Sequence, residues 1–391
     1  MRYDFDEPID RRGSNCEKHD NIANVFGRND IIPLWVADTD FRTPGFIMDA
    51  IRERAAHPVL GYSFRCSYYN DAIRSWLWRR NGWEVKSEWL DFSPGVICGI
   101  SYGISILSRP GDGVLIQPPV YPPFAQVAEA LGRRVITNPL KLVGDSWCID
   151  FDDLDKKLSE VKVFILCNPH NPTGRVFTVE ELTKIGELCL KHGVYIVSDE
   201  IHSDLTIKGH KHIHIASLSE ELARITCTFV APSKTFNTAG LSTAVAVIPD
   251  DKIHRAYTEH GVRNHVGQGN IFGAVALRAA YNNGDEWLDT LRRYIEGNVD
   301  YVRKTLSEQM PRIKCTEPEA TFLLWLDCRE LDLTHEALVD FFINEARLGL
   351  NSGLDYGTQG ELYMRMNVGC PRATLEKALG QLKKAYDNRN F

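Results

Sequence analysis

Lys234 follows a run of buried-type residues in Ala231-Pro232-Ser233-Lys234-Thr235-Phe236-Asn237. An amine at the C-terminal end of a strand lies where open α/β sheets bind ligands. Partial desolvation there lowers its pKa and frees it to condense with a carbonyl as an imine. Taken alone, the segment reads equally well as a solvated loop lysine. A second run, Ile196-Val197-Ser198-Asp199-Glu200-Ile201-His202, sets Asp199 at a strand end as well. A carboxylate in that place can pair with a pyridinium nitrogen, keep it protonated, and let the ring accept an electron pair. Glu200 by itself reads as a helix cap. A third run ends in Asn168-Pro169-His170-Asn171-Pro172-Thr173-Gly174, where two prolines and a glycine fix an unusual turn. Asn171 can donate to a phenolate oxygen on the same ring. By itself the heptapeptide is a structural turn, and only its place beside the Asp and Lys strands argues for more.

A phosphate needs its own cradle. Ser93-Pro94-Gly95-Val96-Ile97 precedes a helical pattern of Ile100, Ile104 and Leu107, so backbone N–H groups of Gly95, Val96 and Ile97 fall at a positive helix end. Any helix start offers such donors, which makes this signal weak alone. Tyr121 reads as half-buried packing. His210, His212 and His214 in Gly-His-Lys-His-Ile-His-Ile share one side of an extended segment and could hold a metal, but three solvated imidazoles are the favoured reading. No metal is expected.

The elements that must position these residues are strands alternating with helices. Val114–Ile116, Val163–Leu166, Val194–Val197 and Thr228–Val230 are short apolar runs, as strands covered on both faces require. Val179–Leu190 carries a helical pattern, with Thr178 as N-cap and Gly193 as terminator. The fold class is therefore α/β, with a large, mostly parallel, doubly wound sheet. From Asp285 to Met310 the apolar residues recur at three-and-four spacing, which predicts one long amphipathic helix. Beyond it, strands at Ala320–Leu326 and Glu361–Val368 and helices at Thr334–Ala346 and Thr374–Tyr386 make a smaller α+β unit. The expected division is 50–285 for the large domain, with 1–49 and 286–391 as the small one.

At 391 residues the chain buries roughly three quarters of its unfolded surface and needs no staple. Its 45 Lys and Arg against 52 Asp and Glu give a net charge of -7, with no basic block to neutralise nucleic acid. No apolar run approaches a membrane span and the charged start lacks a signal-peptide core, so a cytoplasmic protein is expected. The 10 cysteines form no Cys-x-x-Cys pair and read as reduced thiols.

The Asn-Pro-x-Asn-Pro-Thr-Gly turn, the Ser-Asp-Glu after a strand and the Ser-Lys turn together resemble fold-type I pyridoxal-phosphate enzymes, the aspartate aminotransferase superfamily, over essentially the whole chain. Three longer strings resemble the cystathionine β-lyase branch, MalY/PatB-type C–S lyases. They are Pro33-Leu34-Trp35-Val36-Ala37-Asp38-Thr39-Asp40-Phe41, Asp199-Glu200-Ile201-His202 and the segment Pro232–Leu241. Thr39 replaces the branch's usual Met. The resemblance implies pyridoxal 5'-phosphate bound as an imine on Lys234, Asp199 as pyridinium partner and Asn171 as donor to the phenolate oxygen. It further implies Tyr121 stacked on the ring, Gly95, Val96, Ile97 and Ser233 around the phosphate, and His202 where many aminotransferases carry tyrosine. Tyr62 would reach the phosphate of a neighbouring subunit in a homodimer, and Arg365, with Val36 and Ala37, would hold an amino-acid substrate. Two positions depart from the aminotransferase pattern: Ala231 replaces a serine, and Ser242 stands where an arginine usually holds the phosphate. The implied activity is β-elimination from a sulfur amino acid. Transamination is the alternative, and a regulatory protein that retains the cofactor is a third reading.

Overall fold

Seven short segments pair into one sheet in the computed structural model, which describes residues 3–267 and 269–391. They are Leu90–Ser93 (β1), Gly113–Ile116 (β2), Arg134–Thr137 (β3), Val163–Cys167 (β4), Tyr195–Asp199 (β5), Thr226–Val230 (β6) and Ala244–Val247 (β7), in the order β1-β7-β6-β5-β4-β2-β3. Only β7 runs against its neighbours. The expected apolar runs became β2, β4, β5 and β6, and β4 and β6 are buried at every position. Three strands were not expected. β3 is an edge strand with exposed ends, β1 mixes polar with apolar residues, and β7 is a four-residue run too short to stand out.

Register decides where the chemistry falls. Cys167 lies opposite Asp199, and Asp199 opposite Phe229. The C-terminal ends of β4, β5 and β6 are thus level, and the segments that follow them leave along one edge of the sheet. This is the edge at which parallel α/β sheets place their ligands.

Helices Gly45–Ala56 (α1), Ser67–Asn81 (α2), Val96–Leu107 (α3), Val179–His192 (α4), Ile271–Asn283 (α5), Asp285–Gln309 (α6) and Arg372–Arg389 (α7) cover the sheet and extend past it. α4 starts as expected, with a reciprocal capping box between Thr178 and Glu181, and ends on left-handed Gly193. α3 lies directly on β5 and β6. Gly99 permits this, because a Cβ there would sit 2.4 Å from the Phe229 ring. The close approach sets the N-terminus of α3 at the functional edge.

In α6 the residues Trp287, Leu288, Leu291, Ile295, Val299, Val302 and Leu306 are all buried, as their spacing requires. A second, antiparallel sheet follows: Lys314–Cys315 (β8), Leu323–Asp327 (β9), Asn351–Ser352 (β10) and Tyr363–Asn367 (β11), in the order β8-β9-β11-β10. β9 and β11 begin later than expected because Thr321 and Leu362 adopt left-handed backbone just before them. The first residues return to this region. Ile32 pairs with Leu348, and Phe5 packs on Phe41, Trp287 and Tyr294. One apolar cluster runs from these contacts through Phe236 and Trp76, so α6 joins the two sheets' surroundings into a common core.

Two glycine substitutions should move stability in opposite directions. Gly99→Ala overpacks the α3–β6 contact and should cost about 1–3 kcal/mol. Gly380→Ala lies in α7 with open space around it and should add about 0.4–1 kcal/mol by restricting the unfolded chain. Urea unfolding midpoints check both; equal shifts would refute the close approach of α3.

Candidate active site

β5 delivers Asp199 into the interior, where among the described residues no cation is hydrogen-bonded to its carboxylate. Its Oδ1 accepts the Ile201 N–H at 3.0 Å. Burial pushes its carboxyl up to about 7, against the opposing pull of that hydrogen bond and of Lys234. β6 ends in the helical turn Pro232–Thr235, which carries Lys234. Its Nζ donates to the Ala37 carbonyl at 2.7 Å. Burial, followed by the charge of Arg365, lowers the Lys234 amine to about 8. Lys234 keeps some accessible surface because it lines a cavity, yet protein surrounds it on the other sides. The turn itself is anchored by Thr235, whose hydroxyl donates to buried Asp204 at 2.8 Å.

The Asn168–Gly174 turn brings Asn171 beside these groups. Its Oδ1 accepts from Arg365 Nη1 at 3.1 Å, which leaves its amide nitrogen as the donor. Gly174 is left-handed, and a Cβ there would meet Pro318 at 2.7 Å. Arg365, on β11, donates through Nη2 to the Trp35 carbonyl at 2.7 Å and to Asn351 at 2.6 Å. Its Nε is buried with no partner among the described residues. Tyr121 stands edge-on to Phe124. His202 is buried against Phe322, its Nδ1 without a partner among the described residues, and burial lowers its imidazole to about 3.

These residues converge on a cavity of about 280 Å³. Gly95, Val96, Ile97, Tyr121, Asn171, Asp199, His202, Ser233, Lys234 and Ala37 all line it. The α3 N-terminus in its wall receives no side-chain cap among the described residues, and Gly95 precedes it in extended conformation. Arg365 stands behind Asn171 and Trp35. Two expected residues lie elsewhere in this chain. Val36 turns its carbonyl to Asn367 Nδ2 at 2.6 Å, and Tyr62 is fully exposed beside exposed Val59, Leu60 and Phe64.

Sequence reasoning passed over Asn237 and Asn367, which hold the 36–41 wall of the site. Asn237, itself left-handed, donates to the carbonyls of Thr39 and Phe41 at 2.9 and 3.1 Å. Asn367 donates to those of Val36 and Asp38, both at 2.6 Å. A non-glycine residue three positions past a lysine turn carries no visible sign of left-handed backbone. The cavity also includes Cys98, Cys167, Ser242 and Thr243.

Two expectations about polar residues are corrected. Of the three histidines read as solvated, His210 is exposed, but His212 and His214 are buried. Glu200 is not a helix cap. It accepts from Ser198 at 2.7 Å, meets His212 Nε2 at 2.7 Å and contacts His214 Nδ1. A buried carboxylate requires such partners, and the imidazoles are drawn inward to supply them. The three side chains have the types of a metal site, but they stand at hydrogen-bond distances from one another.

The chain matches the aminotransferase class I and II family over residues 30–382. It is 44% identical over 383 residues to cystathionine beta-lyase PatB of Bacillus subtilis, covering 97% of this chain and 99% of that protein. It is 33% identical over 388 residues to protein MalY of Escherichia coli, covering 98% of each. The solved structure of the PLP-bound C-S lyase from Staphylococcus hominis superimposes with a TM-score of 0.92 at 33% identity, over 98% of both chains. A buried lysine and aspartate at level strand ends, an uncapped helix start beside them and similarity along nearly the whole length lead to one assignment: the chain belongs to the aminotransferase class I and II family.

Proposed function

We propose that this chain is a pyridoxal-phosphate-dependent C–S β-lyase that converts cystathionine, cysteine or an S-substituted cysteine to a thiol, pyruvate and ammonia. One observation carries the reading: Lys234 and Asp199 share a buried cavity that shifts the amine to about 8 and the carboxyl to about 7. The kinship with proteins named as cystathionine β-lyase and C–S lyase supports the choice of reaction.

The donor set fits the cofactor. The uncapped N–H groups at Gly95, Val96 and Ile97, with Ser233, suit a phosphate. Asp199 is a buried carboxylate in need of a cation, which a protonated ring nitrogen supplies. The unpartnered Nε of Arg365 and Nδ1 of His202 are polar atoms that ask for partners. When bound, pyridoxal phosphate supplies an electron sink for the pair released at the substrate Cα.

The remaining work falls to side chains. Lys234 would hold the cofactor at rest and, when free, would take the Cα proton as general base. Its lowered proton affinity suits that task near neutral pH. Arg365 holds the substrate α-carboxylate, with Val36 and Ala37 in the adjoining wall, and so fixes the direction of the Cα–H bond. Asn171 would donate to the ring's phenolate oxygen, with His202 beside it, and Tyr121 would supply the aromatic surface against the ring. The β-thiolate would be the group to leave, because it is a far better leaving group than hydride or carbon. In this reading residues 50–285 form the cofactor-bearing domain, and 1–49 with 286–391 form the small domain that carries Arg365. Tyr62 completes the phosphate site of a second copy in a cytoplasmic homodimer.

Cofactor capture should follow the neutral fraction of Lys234. That fraction rises with pH, so reconstitution of stripped protein, read by the absorbance of the lysine link, should accelerate through about pH 8 and level off above. Lys234→Ala should form no borohydride-reducible link. A flat profile, or a reducible link in the variant, would refute the role of Lys234.

Tyr62→Phe should weaken cofactor retention about tenfold, the size of one hydrogen bond to a charged group. Light scattering should show a dimer. An active monomer, or unchanged retention in the variant, would remove Tyr62 from the site.

With L-cystathionine the protein should release pyruvate and thiol in equal amounts with no added keto acid. Transamination would instead stall after one turnover until a keto acid was supplied. Strict dependence on a keto acid, with no thiol formed, would replace the lyase reading by the aminotransferase reading.

A further inference from the structure

Two carbonyls of the 35–41 wall hold the two cations of the site: Ala37 accepts from Lys234 at 2.7 Å, and Trp35 from Arg365 at 2.7 Å. The wall has no regular secondary structure, and Asn237 and Asn367 hold the carbonyls of Val36, Asp38, Thr39 and Phe41 rather than these two. Its far side carries Asp38 and Asp40, and both face the N-terminal segment. Arg11 forks onto Asp38, with Nη1 at 3.0 Å and Nη2 at 2.6 Å, and reaches Asp40 at 2.7 Å and the Thr39 carbonyl at 3.2 Å. Lys18 is fully buried, its Nζ 2.8 Å from Asp40 and 3.9 Å from Asp38. His19 Nε2 lies 3.2 Å from Asp40. The Lys18 carbonyl closes the ring by accepting from the Trp35 indole at 3.1 Å.

We propose that Arg11, Lys18 and His19 form an N-terminal clamp on Asp38 and Asp40 that positions the Trp35 and Ala37 carbonyls, and through them Arg365 and Lys234. These are positioning residues; none of them lines the cavity. The physical case is one of direction. Burying Lys18 and Asp40 beside half-buried Asp38 is a poor way to gain stability, because desolvation offsets much of the attraction. It is an effective way to impose one geometry, because an ion pair with several fixed hydrogen bonds tolerates few alternatives. The clamp sits far from the lysine in sequence, but Asp38 is the residue after Ala37 and the Lys18 carbonyl holds the side chain of Trp35 itself. A slip there moves both cations at once.

The substrate part of this inference rests on the lyase reading; the lysine part does not. The test uses the full chain with Arg11→Gln, whose side chain is partly accessible and leaves Lys18 in place, and with Arg11→Lys, which keeps a cation but loses the fork. On the loaded enzyme, Arg11→Gln should raise KM for L-cystathionine about tenfold, since small misplacements of a positioning group carry penalties up to about a hundredfold, and Arg11→Lys should fall between it and the parent. On the chain stripped of cofactor, trace acetylation read by peptide mass spectrometry should label Lys234 at least about threefold faster in Arg11→Gln, as the Ala37 grip loosens. A thermal melt and Lys18→Met serve as controls for a merely structural role. Such a role would lower the melting temperature and the active fraction of either variant without changing KM or the relative labelling of Lys234. Unchanged KM and labelling in folded Arg11→Gln would overturn the clamp. Faster labelling without any lyase activity in the parent would uphold the clamp while sinking the lyase reading.

Discussion

The burial of an amine and a carboxylate in one small cavity is the constraint on which the rest of this structure depends. Desolvation works against the charged form of each, raising Asp199 and lowering Lys234. Left to relax, such groups would turn to solvent or collapse onto each other as a closed ion pair. They do neither here. Asp199 is fixed by the strand that ends on it and by the Ile201 N–H. Lys234 is turned toward the Ala37 carbonyl. Separate anchoring keeps the space between them open, and that space is the site.

Around this pair, each structural element answers a requirement of position. The level ends of β4, β5 and β6 bring Asn171, Asp199 and Lys234 to one edge although they lie 28 and 35 residues apart in the chain. Gly99 lets α3 descend onto the sheet, so its N-terminal N–H groups enter the same cavity. The neighbouring Glu200 has partners of its own: against its burial, His214 and His212 pull its carboxyl down to about 2, and its charge adds to the rise at Asp199.

What was legible in the sequence follows the range of the interactions. Local signals read correctly: the all-apolar run of β4, the Thr178–Glu181 cap, the periodicity of α6 and the strand-end placement of Lys234 and Asp199. These depend on residues within a few positions of one another. The inward turn of His212 and His214 did not read, because the carboxylate that attracts them lies 12 and 14 residues away. The wall at 35–41 was recognised only as a string resembling a family. Its meaning comes from Lys234, Arg365 and Asn367, about half the chain or more away. Tyr62 marks the opposite limit: its fully exposed ring, among exposed Leu60 and Phe64, has no explanation inside one copy of the chain.

The arrangement of cations narrows the chemistry further. Among the described residues that line the cavity, Lys234 is the one cationic side chain, and Arg365 stands just behind the wall with both terminal nitrogens already bonded to protein. An aspartate-like substrate would set a second carboxylate on Cβ with no second guanidinium to meet it, leaving it unpaired in a desolvated space. A thioether sets an uncharged sulfur on Cβ instead, and in cystathionine the far carboxylate lies beyond that sulfur beside its own ammonium. The ring edges and small side chains around Tyr121, Ile201 and Ala239 can accept that sulfur without a countercharge. The same scarcity of cations applies at the phosphate end, where Ser242 offers a hydroxyl in left-handed backbone in place of an arginine. Under the proposed function, backbone N–H groups and hydroxyls there would have to hold an anion through dipoles alone, which would make the fixed position of α3, and hence the Gly99 contact, matter more than it would beside a guanidinium.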